Sequence, residues 1–264
     1  MADIQSVGVD RTVFAAPAIR HITVADLKTA LKRGLDDFWS MPTFIIFGGL
    51  LYPIVGLLIG RIALGSDFVH LLFPLISGFA LIGPIAGIWL YELSRRRELG
   101  MDTSLGGALS VLVSPAFGGI LAMGALLTFL FLSWLMIAEG LYEWLFGDVL
   151  RLSLPDFLTH VLTSARGWLL VVLGNLIGFG FAAFAFAISV VSFPMIVDRH
   201  VGAAEAMHTS IRACLANPVT MGIWALTIAL LLIIGSLPFF FGLAIVVPVL
   251  AHASWHLYRR LVEP

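Results

Sequence analysis

Charge is what this sequence has least of. Asp, Glu, Lys and Arg make up 12 % of its 264 residues, against about a quarter in a soluble domain. So few charges cannot wet an ordinary surface, so most of the exterior faces something other than water. Cysteine is nearly absent too. Cys214 is the only one, which excludes an intramolecular disulfide and a cysteine-based metal cluster. Neither sign of charge prevails, with 15 Lys and Arg against 16 Asp and Glu. That leaves no basic surplus for nucleic acid, and none is expected as a partner. The apolar core of about 7–15 residues that a cleaved signal needs is missing from the amino terminus. Residues 1–20 read as a flexible cytoplasmic tail.

What is abundant is hydrophobic sequence, 60 % of the chain. Residues 38–60, 68–91, 103–138, 167–197 and 213–258 contain no Asp, Glu, Lys or Arg. A membrane helix needs about 20 apolar residues to cross about 30 Å of hydrocarbon. The first, second and fourth runs each suit one helix. Pro115 divides the third into a shallow cytoplasmic piece and a crossing helix over 116–138. The last run would be roughly 69 Å long as one helix. Its GSLP turn signal at 235–238 splits it into a span from Pro218 and another over 238–258. The sequence thus predicts an all-α membrane protein in which residues 21–264 form a single domain of six transmembrane helices.

Orientation follows from the cations. With the amino terminus inside, only Arg61, Arg151 and Arg166 of the 15 Lys and Arg lie outside. Five spans would also move Arg259 and Arg260 out, so the positive-inside rule favours six, with both termini cytoplasmic. Arg95, Arg96 and Arg97 then read as topology anchors at the inner face. Arg259 and Arg260 anchor the sixth span in the same way. On this reading the charge of the three consecutive arginines matters and their shape does not, because lysine satisfies the same rule.

Three segments before odd-numbered spans end in proline: 30–42, 103–115 and 206–218. Eight residues before the proline stands Gly34, Gly107 or Ser210. Three before it stands Trp39, Leu112 or Leu215. Apolar residues seven, four and three before the proline make the i, i+3, i+4 stripe of an amphipathic helix. Two readings stay open: three repeats of an interfacial helix plus helical hairpin, or the ordinary preference of proline for helix starts. In residues 22–39, Val24, Leu27, Leu31, Leu35 and Phe38 line one face. Lys28, Lys32, Arg33, Asp36 and Asp37 lie elsewhere. Such a helix rests on a bilayer surface or packs on its own protein.

Candidate chemistry is sparse. No Asp, Glu, Lys or Arg lies deep in a predicted span, where carboxylate-coupled transport normally needs one. Asn175 is the most deeply placed strongly polar side chain. With Gly174 and Gly178 beside it, it is a candidate for helix packing or for a substrate contact. His252 and His256, four apart on one helical face, could supply two ligands to a metal. No third ligand is evident and no HExxH glutamate exists, so no metal and no other cofactor is expected. Phosphate loop, nucleophile elbow and Cys–His pairing are all missing, and no enzyme activity is expected.

The stretches GLDDFWSMP (34–42), GPIAGIWLYELSRRRELG (83–100), SFPMIVDRHVGAAEAMHTSIRACLANP (192–218) and LAHASWHLYRRLVE (250–263) resemble a bacterial integral-membrane family, domain of unknown function 2189. The likeness covers about residues 19–263 and rests on patterns of proline, glycine and aromatics. It implies a multi-pass protein of the bacterial inner membrane and carries over no functional residues. Some members bear the label cytochrome c oxidase subunit I. That label does not suit this chain, whose histidines lie mainly at rims or in loops. The expected role is non-enzymatic: accessory, scaffolding or assembly work on membrane complexes or lipids. Its partners would be membrane lipids and other membrane proteins. The alternative is a passive channel or transporter for a small solute.

Overall fold

The computed structural model describes residues 17–41, 69–79, 83–147, 153–238 and 241–263. Among them every regular element is helical. Helix α1 (Val24–Ser40) starts at a capping box, with the Thr23 amide donating to Asp26 Oδ2 at 2.9 Å. This satisfies a donor that the first helical turn would otherwise leave open. A 3₁₀ turn (Val69–Leu71) leads into α2 (Leu72–Phe79), then the single turn α3 (Gly83–Ala86) and α4 (Ile88–Glu98). The short α5 (Leu105–Leu109) runs into a 3₁₀ turn at Ser110–Val113. Next come α6 (Phe117–Phe146), α7 (Leu154–Thr163), α8 (Ala165–Ser189), α9 (Ser192–Arg199) and α10 (Ala203–Ala216). Last are α11 (Pro218–Ser236) and α12 (Leu243–Leu261).

Three of these helices are long and apolar enough to cross a membrane: α6 with 30 residues, α8 and α9 together with 35, and α11 with 19. They answer to the third, fourth and fifth predicted spans. Gly147 ends α6 with a φ of 73°, a left-handed turn that glycine adopts without steric cost. The count of six is not reached among the described residues. The first predicted span falls mostly on 42–60, outside them. The second shows, among the described residues, α2, α3 and α4, with a turn at Gly87 between the last two. Pro74 and Pro84 stand in the first turns of α2 and α3, where a missing amide donor costs no helical hydrogen bond. The sixth exists as α12, but it carries His252, Arg259 and Arg260, and nine of the twelve residues 250–261 are buried in protein.

Two regions result. In one, α1, α4, α9 and the second half of α12 pack into a head whose centre holds Leu93, Phe193, Ile196, Trp255 and Tyr258, all essentially inaccessible. In the other, α6, α8 and α11 leave most of their apolar surface uncovered. The most apolar stretch of α8 is only 6 % buried, which suits contact with lipid.

The face that α1 buries is Leu27, Ala30, Gly34, Asp37 and Phe38, turned from the expected one, so Val24 and Leu35 point outward. Small residues decide this. A methyl group at Gly34 would stand 2.5 Å from the Ala253 nitrogen, so the two backbones touch only because 34 is glycine. Only part of the expected apolar face, Leu27 and Phe38, is thus buried in the protein. Residues 17–20, read as the end of a flexible tail, are tied to the carboxyl terminus. Ile19 bridges Val262, and the Arg20 amide donates to the Leu261 carbonyl at 2.8 Å. Residues 1–16 of that tail lie outside the described residues. The three proline-terminated segments do not share one conformation: α1 has 17 residues, α10 has 14, and between them stands only α5 with its 3₁₀ turn.

Candidate functional site

Asp37 is the hub of the head. It sits on α1 at 3 % exposure, facing α4 and α12. Ser94 donates its hydroxyl to Asp37 Oδ2 at 2.5 Å, and His256 Nε2 lies 2.9 Å from the same oxygen. Arg97 grips the other oxygen and forks to Asp36 Oδ2 at 2.9 Å. His252 Nδ1 lies 2.7 Å from Ser94 Oγ. A serine hydroxyl has one proton, and here it goes to Asp37. His252 Nδ1 must therefore carry the proton of the bond to Ser94. Burial, the largest influence on Asp37, favours its neutral form. The hydrogen bonds from His256 and Ser94 and the nearby imidazole charge outweigh it and hold the carboxyl below its ordinary range.

Around this hub lies a second set of ion pairs. Glu92, also buried, accepts from Arg96 Nε at 2.7 Å and has Arg95 Nε at 3.4 Å. Arg96 reaches on to Ser110 Oγ at 2.8 Å. Glu98 accepts from Trp255 Nε1 at 3.0 Å and from Arg259 Nε at 3.1 Å. Asp198 accepts from the Tyr258 hydroxyl at 2.7 Å and from Arg259 at 3.2 Å. Arg260 pairs with Asp26. All five arginines read as topology anchors are thus engaged by carboxylates. Arg96, Arg97 and Arg259 each use more than one guanidinium nitrogen, so their planar shape matters here as well as their charge.

Ser, His and Asp also furnish nucleophilic triads, but in a different order. In a triad the carboxylate orients the histidine that takes the serine proton. Here the carboxylate takes the serine hydroxyl directly, and Ser94 is 1 % exposed. The arrangement is a clamp joining three helices. Among the described residues no group of three or more His, Cys, Asp and Glu is set to hold a metal ion. His252 and His256 face Ser94 and Asp37.

Asn175 lies elsewhere, on the exposed side of α8. Its amide donates to the Val171 carbonyl of its own helix at 2.8 Å, so it does not join two helices. With Gly174 and Gly178 it lines a half-open cleft of about 220 Å³ between α2, α6 and α8, shared with Phe73, Ser77 and Trp134. Gly178 does the packing. A methyl group there would lie 3.1 Å from the Trp134 ring, and Trp134 Nε1 donates to the Pro74 carbonyl at 3.0 Å.

Residues 72–198 match the family described as Predicted integral membrane protein (DUF2189). Over that stretch, a little under half of its length, the chain is similar to this integral-membrane family. No curated protein and no solved structure matches it. The matched stretch runs from α2 through most of α9. It contains Glu92, Ser94, the three consecutive arginines and Asn175, whereas Asp37, His252 and His256 come from helices outside it.

Sequence reasoning missed Asp37, Ser94 and Glu92 as buried groups. A signal for Asp37 was present. Leu27, Ala30, Gly34 and Asp37 recur at three- and four-residue spacing, and two small residues in such a row mark close helix approach.

Proposed function

We propose that this protein is a non-enzymatic accessory protein of the bacterial inner membrane, serving as a scaffold or assembly factor for membrane complexes or lipids. The observation that carries the reading is the contrast between the two regions. Charged groups in the head are spent largely on one another, from Asp37 with Arg97 to Asp198 with Arg259. Large apolar side chains on the long helices stay uncovered, among them Met136 at 76 % and Phe179 at 73 %. A rigid head on apolar arms suits attachment, and a serine sealed under an aspartate does not suit attack on a substrate.

The reading includes six spans with both termini in the cytoplasm. The bridge between Ile19 and Val262 supports an even number of crossings, because two ends that pair lie on one side of the bilayer. It also includes an internal threefold repeat. In its favour, Gly34, Gly107 and Ser210 are all buried, and Trp39, Leu112 and Leu215 are all exposed. Purification from its own membrane in mild detergent, with mass spectrometry of the intact assembly, tests the role. The reading expects a membrane protein or lipid held at fixed stoichiometry and released when Leu176 and Phe179 become alanine. A chain that purifies alone, free of lipid and fully stable, contradicts it.

The second reading, a passive path for a small solute, is favoured by the cleft at Asn175. Its mark would be solute flux across liposomes that falls with Asn175→Leu.

A further inference from the structure

The cations of the head are not all spent. Arg20, Arg95, Arg96, Arg97, Arg259 and Arg260 face carboxylates. Arg199 and Arg212 donate to Tyr258 or to backbone carbonyls. Lys28, Lys32 and Arg33 have no partner among the described residues. All three are exposed, and all three stand on α1.

Their surroundings are specific. Residues 24, 28, 32, 35 and 39 follow one another at three- and four-residue steps, so they form a single stripe along the helix. That stripe reads Val24, Lys28, Lys32, Leu35, Trp39, with Val24 at 45 %, Leu35 at 44 % and Trp39 at 68 % exposure. It lies away from the face that packs on α12. Arg33 flanks it, and Asp36, an exposed acid nearby, is already taken by Arg97. The stripe is also ordered. Its indole lies in the last turn, where the chain enters the first long apolar run, and its lysines lie further from that run.

We infer that this outer face of α1 docks on anionic phospholipid headgroups of the inner leaflet. Charge complementarity selects the headgroups, since unpaired cations next to a bilayer are attracted by anionic lipid. The indole and the two aliphatic side chains select a bilayer over a free anion, a nucleic acid or an acidic peptide. Trp sits at headgroup level, and lysine stems cover apolar surface while their ammonium groups reach the phosphates. The inference rests on the cytoplasmic placement of α1 and on neither the scaffold nor the channel reading.

The test uses the full-length chain in neutral detergent, titrated with phosphatidylglycerol or phosphatidylcholine and followed by native mass spectrometry. Wild type should prefer phosphatidylglycerol, with a preference that fades as salt is raised. The K28Q/K32Q/R33Q variant should bind phosphatidylglycerol about fivefold more weakly per charge removed. Its lipid-free melting temperature should be unchanged, because none of the three side chains has a partner to lose among the described residues. Trp39→Ala should weaken binding of both lipids. Equal phosphatidylglycerol binding by wild type and the triple variant overturns the assignment. So does wild-type indifference between the two lipids, or equal competition by inorganic phosphate or a short oligonucleotide. Loss of a co-purifying partner, or of solute flux, would bear on the functional readings and leave this one standing.

Discussion

Asp37 shows how much one side chain can decide. A carboxylate at 3 % exposure is tolerable only because Ser94, His256 and Arg97 all bind it. Replacing it by asparagine keeps the size but leaves Arg97 and His256 facing a neutral group. Breaking a fully buried pair costs about 3–5 kcal/mol. The Arg97 side chain is 34 % exposed, so water offsets part of that loss, and about 2 kcal/mol is expected for Asp37→Asn. Thermal unfolding in detergent measures it. The sign with pH is also fixed. A carboxyl held below its ordinary value of 3.8 contributes fully above that value and loses its contribution as pH falls through the lowered one. Wild type should therefore lose stability below about pH 4, and Asp37→Asn should lack that part of the acid limb. A variant with the wild-type melting temperature at pH 7 would show that the clamp is not stabilising.

At the scale of elements, α4 carries two demands on the same three arginines. On the proposed topology the membrane asks only for charge, whereas the head asks for forked contacts to Asp36, Asp37 and Glu92. Replacing Arg95, Arg96 and Arg97 together by lysine should leave orientation intact. The same variant should melt several degrees lower, because an ammonium cannot reproduce the planar fork. Topology reporters and a melting curve on one preparation separate the two demands. Equal melting of both proteins would reduce the arginines to anchors.

The elements also explain what could be read in advance. Runs of apolar residues marked α6, α8 and α11 because a lipid-facing helix declares itself through hydropathy alone. In the second run, hydropathy does not register the turn at Gly87 that separates α3 from α4. The inward face of α1 was misjudged for a related reason. Ala30 and Gly34 contribute little to an apolar stripe, yet their smallness lets α12 approach and turns Asp37 inward. The candidate site was legible only as separate pieces: three arginines, two histidines, a pair of aspartates. What joins them is the meeting of α1, α4 and α12, a contact between residues far apart in sequence.

For the whole molecule, one charged, close-packed head gathers both ends of the described chain, while apolar helices extend from it. Ile19 against Val262 and Arg20 against Glu263 hold those ends together, and the proposed six-span topology accordingly puts them on one side of the bilayer. The proposed arrangement makes that side the cytoplasmic one, in keeping with its excess of cations. Single-cysteine labelling in intact cells tests this most directly. In a Cys214→Ser background, Pro17→Cys and Glu263→Cys should both resist a membrane-impermeant maleimide until the cells are permeabilised. Labelling of just one of them in intact cells would put the two ends on opposite sides, and the head as described could not exist.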